Sequence, residues 1–211
     1  MFKYLLFDLD HTLYSSSYGL EDNVRRRIKE FNAAFLGVSV EEAWKERMDN
    51  IHLYGTNLEW LIAEKGCADV EGYLAAVHPK GEADTLLPDP ALREFLERIP
   101  IPKAIITNSP REHADLILGK LGFEGLFTHI FDIRLCNFVG KPHPKFFYKS
   151  LDILNVKIED TLFIDDVPRY VEAFIKLGGN AILYDEKNLL PDFPYPRIQN
   201  LRELSAYLYP D

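Results

Sequence analysis

Residues 2–14 read Phe2-Lys3-Tyr4-Leu5-Leu6-Phe7-Asp8-Leu9-Asp10-His11-Thr12-Leu13-Tyr14, an apolar run ending in two carboxylates one residue apart. An apolar run of this length fits a strand buried on both faces of a parallel sheet. Residues i and i+2 of a strand share a side, so Asp8 and Asp10 are predicted to converge at its carboxyl end. Open α/β sheets place their ligands at that end. Two carboxylates so close repel unless a cation sits between them or one keeps its proton. A divalent metal, with one carboxylate as nucleophile and the other as proton donor, resolves the repulsion. Alone, the stretch also fits a strand followed by an Asp-rich turn.

Beyond Tyr14 the pattern turns helical. Leu20, Val24, Ile28, Phe31 and Phe35 recur at helical spacing, with Arg25, Arg26 and Arg27 assigned to a solvated face. Ser39 with Glu42 forms a capping-box signal, Thr56 with Glu59 repeats it, and Gly66 supplies a stop. A fourth helix is expected from Asp69 to Pro79. From Leu86 onward helices alternate with strands at residues 103–108, 128–132, 161–166 and 181–184. Residues 185–197 read as a loop before a terminal helix capped by Asn200. The expected architecture is α/β: a doubly wound parallel-sheet core of residues 1–14 and 86–211, with an inserted all-helical subdomain of residues 15–85. If the strands are parallel, Asp8/Asp10, Thr107/Asn108 and Asp165/Asp166 share one sheet edge.

The 211 residues carry a net charge of −9 and 47% hydrophobic residues. That balance disfavours nucleic acid polymers and anionic membrane surfaces as partners. No apolar run approaches the roughly 20 residues a membrane helix needs, and the N-terminal run is too short for a signal peptide. Cys67 and Cys136 are isolated and read as reduced packing residues. A cytoplasmic monomer or homodimer is expected. There is no glycine-rich nucleotide loop.

Taken in order, Asp-Leu-Asp-His-Thr-Leu-Tyr at 8–14, Thr107-Asn108, Lys141-Pro142 and Phe163-Ile164-Asp165-Asp166 resemble the four motifs of haloacid-dehalogenase-like hydrolases. The resemblance spans nearly the whole chain, and the helical insertion has the position and size of that superfamily's first-type cap. Tyr54-Gly55-Thr56, Thr107-Asn108-Ser109, His113 and Lys141-Pro142-His143 are similar to the pyrimidine 5′-nucleotidase branch. The resemblance implies that Asp8 forms an aspartyl-phosphate and that Asp10 acts as acid and then base. It also implies that Thr107 binds the phosphoryl group, with Asn108 and Ser109 adding donors near a helix N-terminus. Lys141 would neutralise the nucleophile and the phosphoryl oxygens, in a turn fixed by Gly140 and Pro142.

By the same resemblance Mg²⁺ is the cofactor, held by Asp8, Asp166, Asp165 and the backbone carbonyl of Asp10. Relatives often have Ser-x-x-Asn after the second acid, where this chain has Val167-Pro168-Arg169-Tyr170, and His11 replaces a common Asp or Asn. Tyr54, Thr56, Asn57, His52 and Trp60 are candidates to face the leaving group, although Trp60 and Trp44 also suit a core. His113 suits either substrate contact or packing. The implied function is a Mg²⁺-dependent phosphomonoesterase for a small phosphate ester, first a pyrimidine nucleoside 5′-monophosphate. The alternatives are a sugar phosphate, phosphoglycolate or a phosphorylated vitamin intermediate as substrate, or a non-catalytic binding or regulatory protein. Asp10 disfavours a dehalogenase.

Overall fold

The strand Tyr4–Phe7 (β1) lies inside a six-stranded sheet whose strands all run parallel. The structure, a computed structural model, describes residues 1–209. Beside β1 run Lys103–Ile106 (β2) and Thr161–Asp165 (β4), flanked by His129–Phe131 (β3) on one side. On the other side lie Asn180–Tyr184 (β5) and Arg197–Ile198 (β6), giving the order β3-β2-β1-β4-β5-β6. The order reverses between β1 and β4, the switch point at which such sheets open a crevice.

Alternation along the strands makes two cores. Leu5, Phe7, Ile105, Leu162 and Ile164 face Pro90–Arg98 (α5) and Arg111–Leu121 (α6). Leu6, Ala104, Ile106 and Phe163 face Pro144–Leu154 (α7) and Pro168–Lys176 (α8). Both faces are therefore apolar, which is why β1 reads as a continuous hydrophobic run.

Between β1 and α5 come four helices: Leu20–Leu36 (α1), Val40–Asn50 (α2), Asn57–Lys65 (α3) and Val70–Val77 (α4). The sequence signals set their limits. Ser39 and Glu42 form a reciprocal capping box, Thr56 and Asp69 cap α3 and α4, and Gly66 closes α3 at φ 68°. Val24, Leu58, Trp60, Leu61, Tyr73, Leu74 and Val77 form a third core. Ile133, from the loop after β3, joins it and fastens the helical layer across the sheet's carboxyl edge. The chain passages joining layer and sheet also pack inward, with Leu20, Ala83 and Leu86 in the sheet's own core. Among the described residues no helix is long and apolar enough to cross a membrane.

Three expectations need correction. β1 ends at Phe7 and Asp10 already lies in a turn, so strand alternation does not bring Asp8 and Asp10 together. Residues 185–197 end in β6, which among the described residues pairs only with β5. The terminal helix is a 3-10 turn, Leu201–Leu204, capped by Asn200 and followed by the single turn Ser205–Leu208 (α9).

Candidate active site

Strand register brings the acids together. Phe7 lies opposite Ile164 and Ile105, so the next residues, Asp8 and Asp165, emerge side by side with Thr107 beyond β2. The Asp8 amide still donates to Ile164 O at 2.8 Å, which fixes its backbone past the strand's end. Lys141 Nζ stands 2.6 Å from both Asp8 Oδ1 and Asp165 Oδ2. Thr12 Oγ1 donates to Asp8 Oδ2 at 3.2 Å, and the Val167 amide donates to Asp165 Oδ1 at 2.8 Å. Asp8, Lys141 and Asp165 are all buried.

Asp8, Asp165 and Asp166 each bring a carboxylate oxygen to a cluster spanning less than 4.8 Å. One ammonium cannot balance them. Burial pushes Asp165 up to about 7, with Lys141 opposing and the Asp8 charge adding to the rise. Burial and the charges of Asp8 and Asp165 push Asp166 up to about 9. Burial likewise raises Asp8, against Lys141. Burial works against the Lys141 ammonium, but Asp165 and Asp8 outweigh it and hold its pKa above the ordinary lysine value. A hard, oxygen-only donor set with surplus negative charge suits a small divalent cation such as Mg²⁺.

Asp10 has different neighbours. Its Oδ1 accepts from Tyr14 OH at 2.6 Å and lies 2.7 Å from His113 Nε2, while Oδ2 accepts from Ser109 Oγ at 2.8 Å. Burial opposes ionisation, but His113, Tyr14 and Ser109 hold the carboxyl well below the usual range. His113 Nδ1 lies 2.5 Å from Glu82 Oε1, and His78 Nδ1 lies 3.2 Å from the same oxygen. This second trio could be taken for a metal site, yet its contact between His113 and Glu82, at 2.5 Å, is a hydrogen bond and too close for two ligands of one ion. Ligand atoms around a tetrahedral zinc, with bonds of about 2.0–2.1 Å, stand about 3.3 Å apart.

The acids open into a cavity of about 410 Å³ under the helical layer. Asp8, Asp10, Thr107, Asn108, Ser109, Lys141 and Asp166 line one end, and Thr56 and Asn57 line the helical side. Several side chains have other work than expected. The Ser109 hydroxyl donates to Asp10 instead of facing open space, and the helix start beside it, α6, is capped by Pro110 without a side-chain bond. Asn108 clamps the lysine turn, accepting from Lys141 N at 2.7 Å and donating to Lys141 O at 3.0 Å and Tyr170 OH at 3.1 Å. The Tyr54 hydroxyl bonds to Glu64, outside the cavity wall, and His52 is exposed. Thr56 caps α3 through its hydroxyl. His113 sits behind Asp10 rather than on the wall. Trp60 is core, whereas Trp44 is half-buried beneath Lys29 and Arg47.

The sequence reading missed several wall residues. Arg47 donates from Nε to Asn57 Oδ1 at 3.0 Å, and the buried Asn57 is held by Asn32 and Tyr73. Glu21, Tyr14, Tyr73, Arg169 and Tyr170 also face the space, as does Arg25 of the presumed solvated face. Arg27 of that face is half-buried, bonded to Val77 O at 2.6 Å and Glu82 Oε2 at 2.8 Å. His11 adopts φ 58° and faces the cavity, with Nε2 buried and lacking a partner among the described residues. Arg169 and Tyr170, within the altered stretch, reach Gly55 O across the cleft. Cys67 and Cys136 are buried and free.

Carboxylates and a buried ammonium gathered at the carboxyl edge of a doubly wound sheet suit hydrolytic chemistry. The family model for haloacid dehalogenase-like hydrolases matches residues 2–179, and the chain belongs to that family. A validoxylamine A 7′-phosphate phosphatase from Streptomyces hygroscopicus subsp. limoneus is 25% identical over 189 residues, covering 84% of this chain and 83% of that protein. A glyceraldehyde 3-phosphate phosphatase from Methanopyrus kandleri is 28% identical over 186 residues, covering 79% and 76%. Among solved structures, a HAD phosphatase from Thermococcus onnurineus shares the fold with a TM-score of 0.63 at 19% identity, over 98% of this chain and 97% of that one.

Proposed function

We propose that the protein is a Mg²⁺-dependent phosphomonoesterase acting on a small phosphate ester through Asp8. The observation that carries this reading is Lys141 bridging Asp8 and Asp165 beside a separately held Asp10. An Asp8 oxygen forms a bond to phosphorus as the bond to the leaving oxygen breaks, giving an aspartyl-phosphate. Asp10 gives a proton to the departing alkoxide, then takes one from the water that opens the acyl phosphate. The first step needs the acid form and the second the carboxylate; without substrate, the neighbours of Asp10 favour the carboxylate. Lys141 and Thr107 hold the phosphoryl oxygens. Asp8, Asp165, Asp166 and the Asp10 carbonyl would hold the magnesium ion, whose charge offsets that of the carboxylates and the phosphate. The helical layer acts as a cap that excludes water and meets the leaving group.

For substrate class we put a pyrimidine nucleoside 5′-monophosphate first. Its support is the likeness to that branch and a cavity roomier than a two- or three-carbon leaving group needs. Val24, Ile28, Leu74 and Tyr73 offer that leaving group an apolar wall. A second reading, a sugar-type phosphate, is favoured by the activities of the two relatives above. Phosphate release from UMP, CMP, AMP, glyceraldehyde 3-phosphate and phosphoglycolate, with Mg²⁺ and with EDTA, tests both. Asp8→Asn is the blank. Metal-dependent turnover of UMP or CMP supports the first reading, and turnover of the other esters alone sinks it. No turnover by folded protein would sink both in favour of a binding role.

A further inference from the structure

Asp10 is tied to the helical layer by a buried chain of side chains. His113 of α6 lies 2.7 Å from Asp10 Oδ1 and 2.5 Å from Glu82 Oε1. Glu82 belongs to the passage joining α4 to α5, and its other oxygen accepts from Arg27 of α1 at 2.8 Å. Arg27 in turn donates to Val77 O, at the end of α4. The His113 and Glu82 side chains are 1% and 2% exposed.

His113, Glu82 and Arg27 do not line the cavity, so they do not touch a substrate there. Taking such groups out of water is costly before they pair, and apolar residues would join two layers at less cost. Where charged groups are nevertheless kept, fixing one arrangement over others is their best-attested use. Here the arrangement fixed is that of Asp10. Its two remaining donors, Tyr14 and Ser109, belong to the loops after β1 and β2. His113 alone among the three is linked to the helical layer, through Glu82 of the joining passage and Arg27 of α1.

We propose that Glu82 is a positioning residue: acting through His113, and held by Arg27, it keeps Asp10 at the leaving oxygen only while the helical layer is seated. The proposal rests on Asp10 serving as the acid of the proposed reaction. Seating the helices then becomes a condition for proton transfer, and an ester bound beneath an unseated layer does not lose its leaving group.

The test uses leaving groups that do and do not need a proton. The alkyl ester is the best alkyl phosphate from the panel above, and the aryl ester is p-nitrophenyl phosphate. The quantity compared is kcat/KM, which reports steps up to departure of the leaving group and leaves out opening of the aspartyl-phosphate. Glu82→Gln is expected to lower kcat/KM about 10- to 100-fold for the alkyl ester, a part of the roughly 10²–10⁴-fold that acid–base catalysis contributes. The aryl ester should change less than about threefold, because p-nitrophenolate departs without a proton. Arg27→Met, at the chain's outer end, should show the same selectivity to a smaller degree and guards against misfolding of the first variant. Equal losses on both esters would mean a merely structural role and overturn the proposal, as would unchanged activity in both folded variants. Asp10→Asn sets the full alkyl–aryl difference. If Asp10→Asn shows no such difference, the acid role itself fails and the coupling falls with it.

Discussion

An alanine at Gly140 tests whether Asn108 sets the position of Lys141. A Cβ built there overlaps Asn108 Oδ1, stands 2.9 Å from Asn108 Cγ and lies 2.7 Å from Ile133 Cδ1. Asn108 has to swing away, which breaks its bonds to Lys141 N, Lys141 O and Tyr170 OH. At roughly 0.5–1.5 kcal/mol each, Gly140→Ala should destabilise the fold by about 1.5–4.5 kcal/mol. The lysine turn then loses its registration, so Nζ no longer bridges Asp8 and Asp165, and activity should fall at least tenfold. Urea denaturation gives the stability change and phosphate release gives the activity. The decisive measurement is the cycle with Asn108→Ala. Once Asn108 is trimmed, the near atom left is Ile133 Cδ1 at 2.7 Å, the far end of a side chain that can turn aside, so the double variant should be little worse than Asn108→Ala, a coupling of about 1–3 kcal/mol. Strictly additive costs would refute the clamp.

The raised acids carry a sign that can be read as heat stability. Asp165 at about 7 and Asp166 at about 9 stand far above an unfolded value near 3.9, so the folded metal-free protein binds more protons than the unfolded chain across that window. Tm in EDTA should therefore fall as pH rises from 5 to 9, and Mg²⁺ should flatten the slope; a Tm rising with pH in EDTA would contradict this. His113, pushed up to about 10 by Asp10 and Glu82 against its burial, adds to the fall, since its contribution is lost between about 6.5 and 10. Arg47→Met removes a guanidinium from the helical side of the cavity and should raise KM for the best alkyl ester of the panel about tenfold with kcat retained, a split read from steady-state kinetics. Gly119→Ala, inside α6 with its Cβ no closer than 3.5 Å to Glu124, should stabilise the fold by about 0.5–1 kcal/mol in urea.

The elements announced by local chemistry are the ones the sequence reveals. Ser39, Thr56 and Asp69 each sit at the start of the helix their signal announces, and Gly66 ends a helix at positive φ. β1 is legible because both its faces are buried. β6 is not, because its two residues owe their extended form to pairing with β5 alone. The acidic cluster was legible as motifs, but its geometry was not. Asp8 and Asp165 meet through strand register, not through alternation within one strand. Periodicity separates apolar from polar faces and cannot see a polar side chain that is buried. Arg27 therefore read as solvated, although Glu82, 55 residues away, awaits it inside. His113 is a case of the same kind, since both its partners are remote in sequence.

Charge alone would have steered the reading away from anionic substrates, and the cavity shows why net charge is the wrong measure. The chain is −9, yet its cavity wall holds Arg25, Arg47, Arg169 and Lys141 against Asp8, Asp10, Glu21 and Asp166, four of each sign. The signs are sorted by layer. At the sheet edge three carboxyl groups, Asp8, Asp165 and Asp166, face one lysine, an excess of acid that raises Asp165 and Asp166 in the metal-free protein. Arg25 and Arg47 belong to the helices, and Arg169 reaches toward them from α8. A small ester that reaches the cavity meets a deficit that one divalent cation fills, with guanidinium groups toward its far end. Removing an arginine from the helical side should therefore change which esters bind, while removing an acid from the sheet edge should change whether any is hydrolysed.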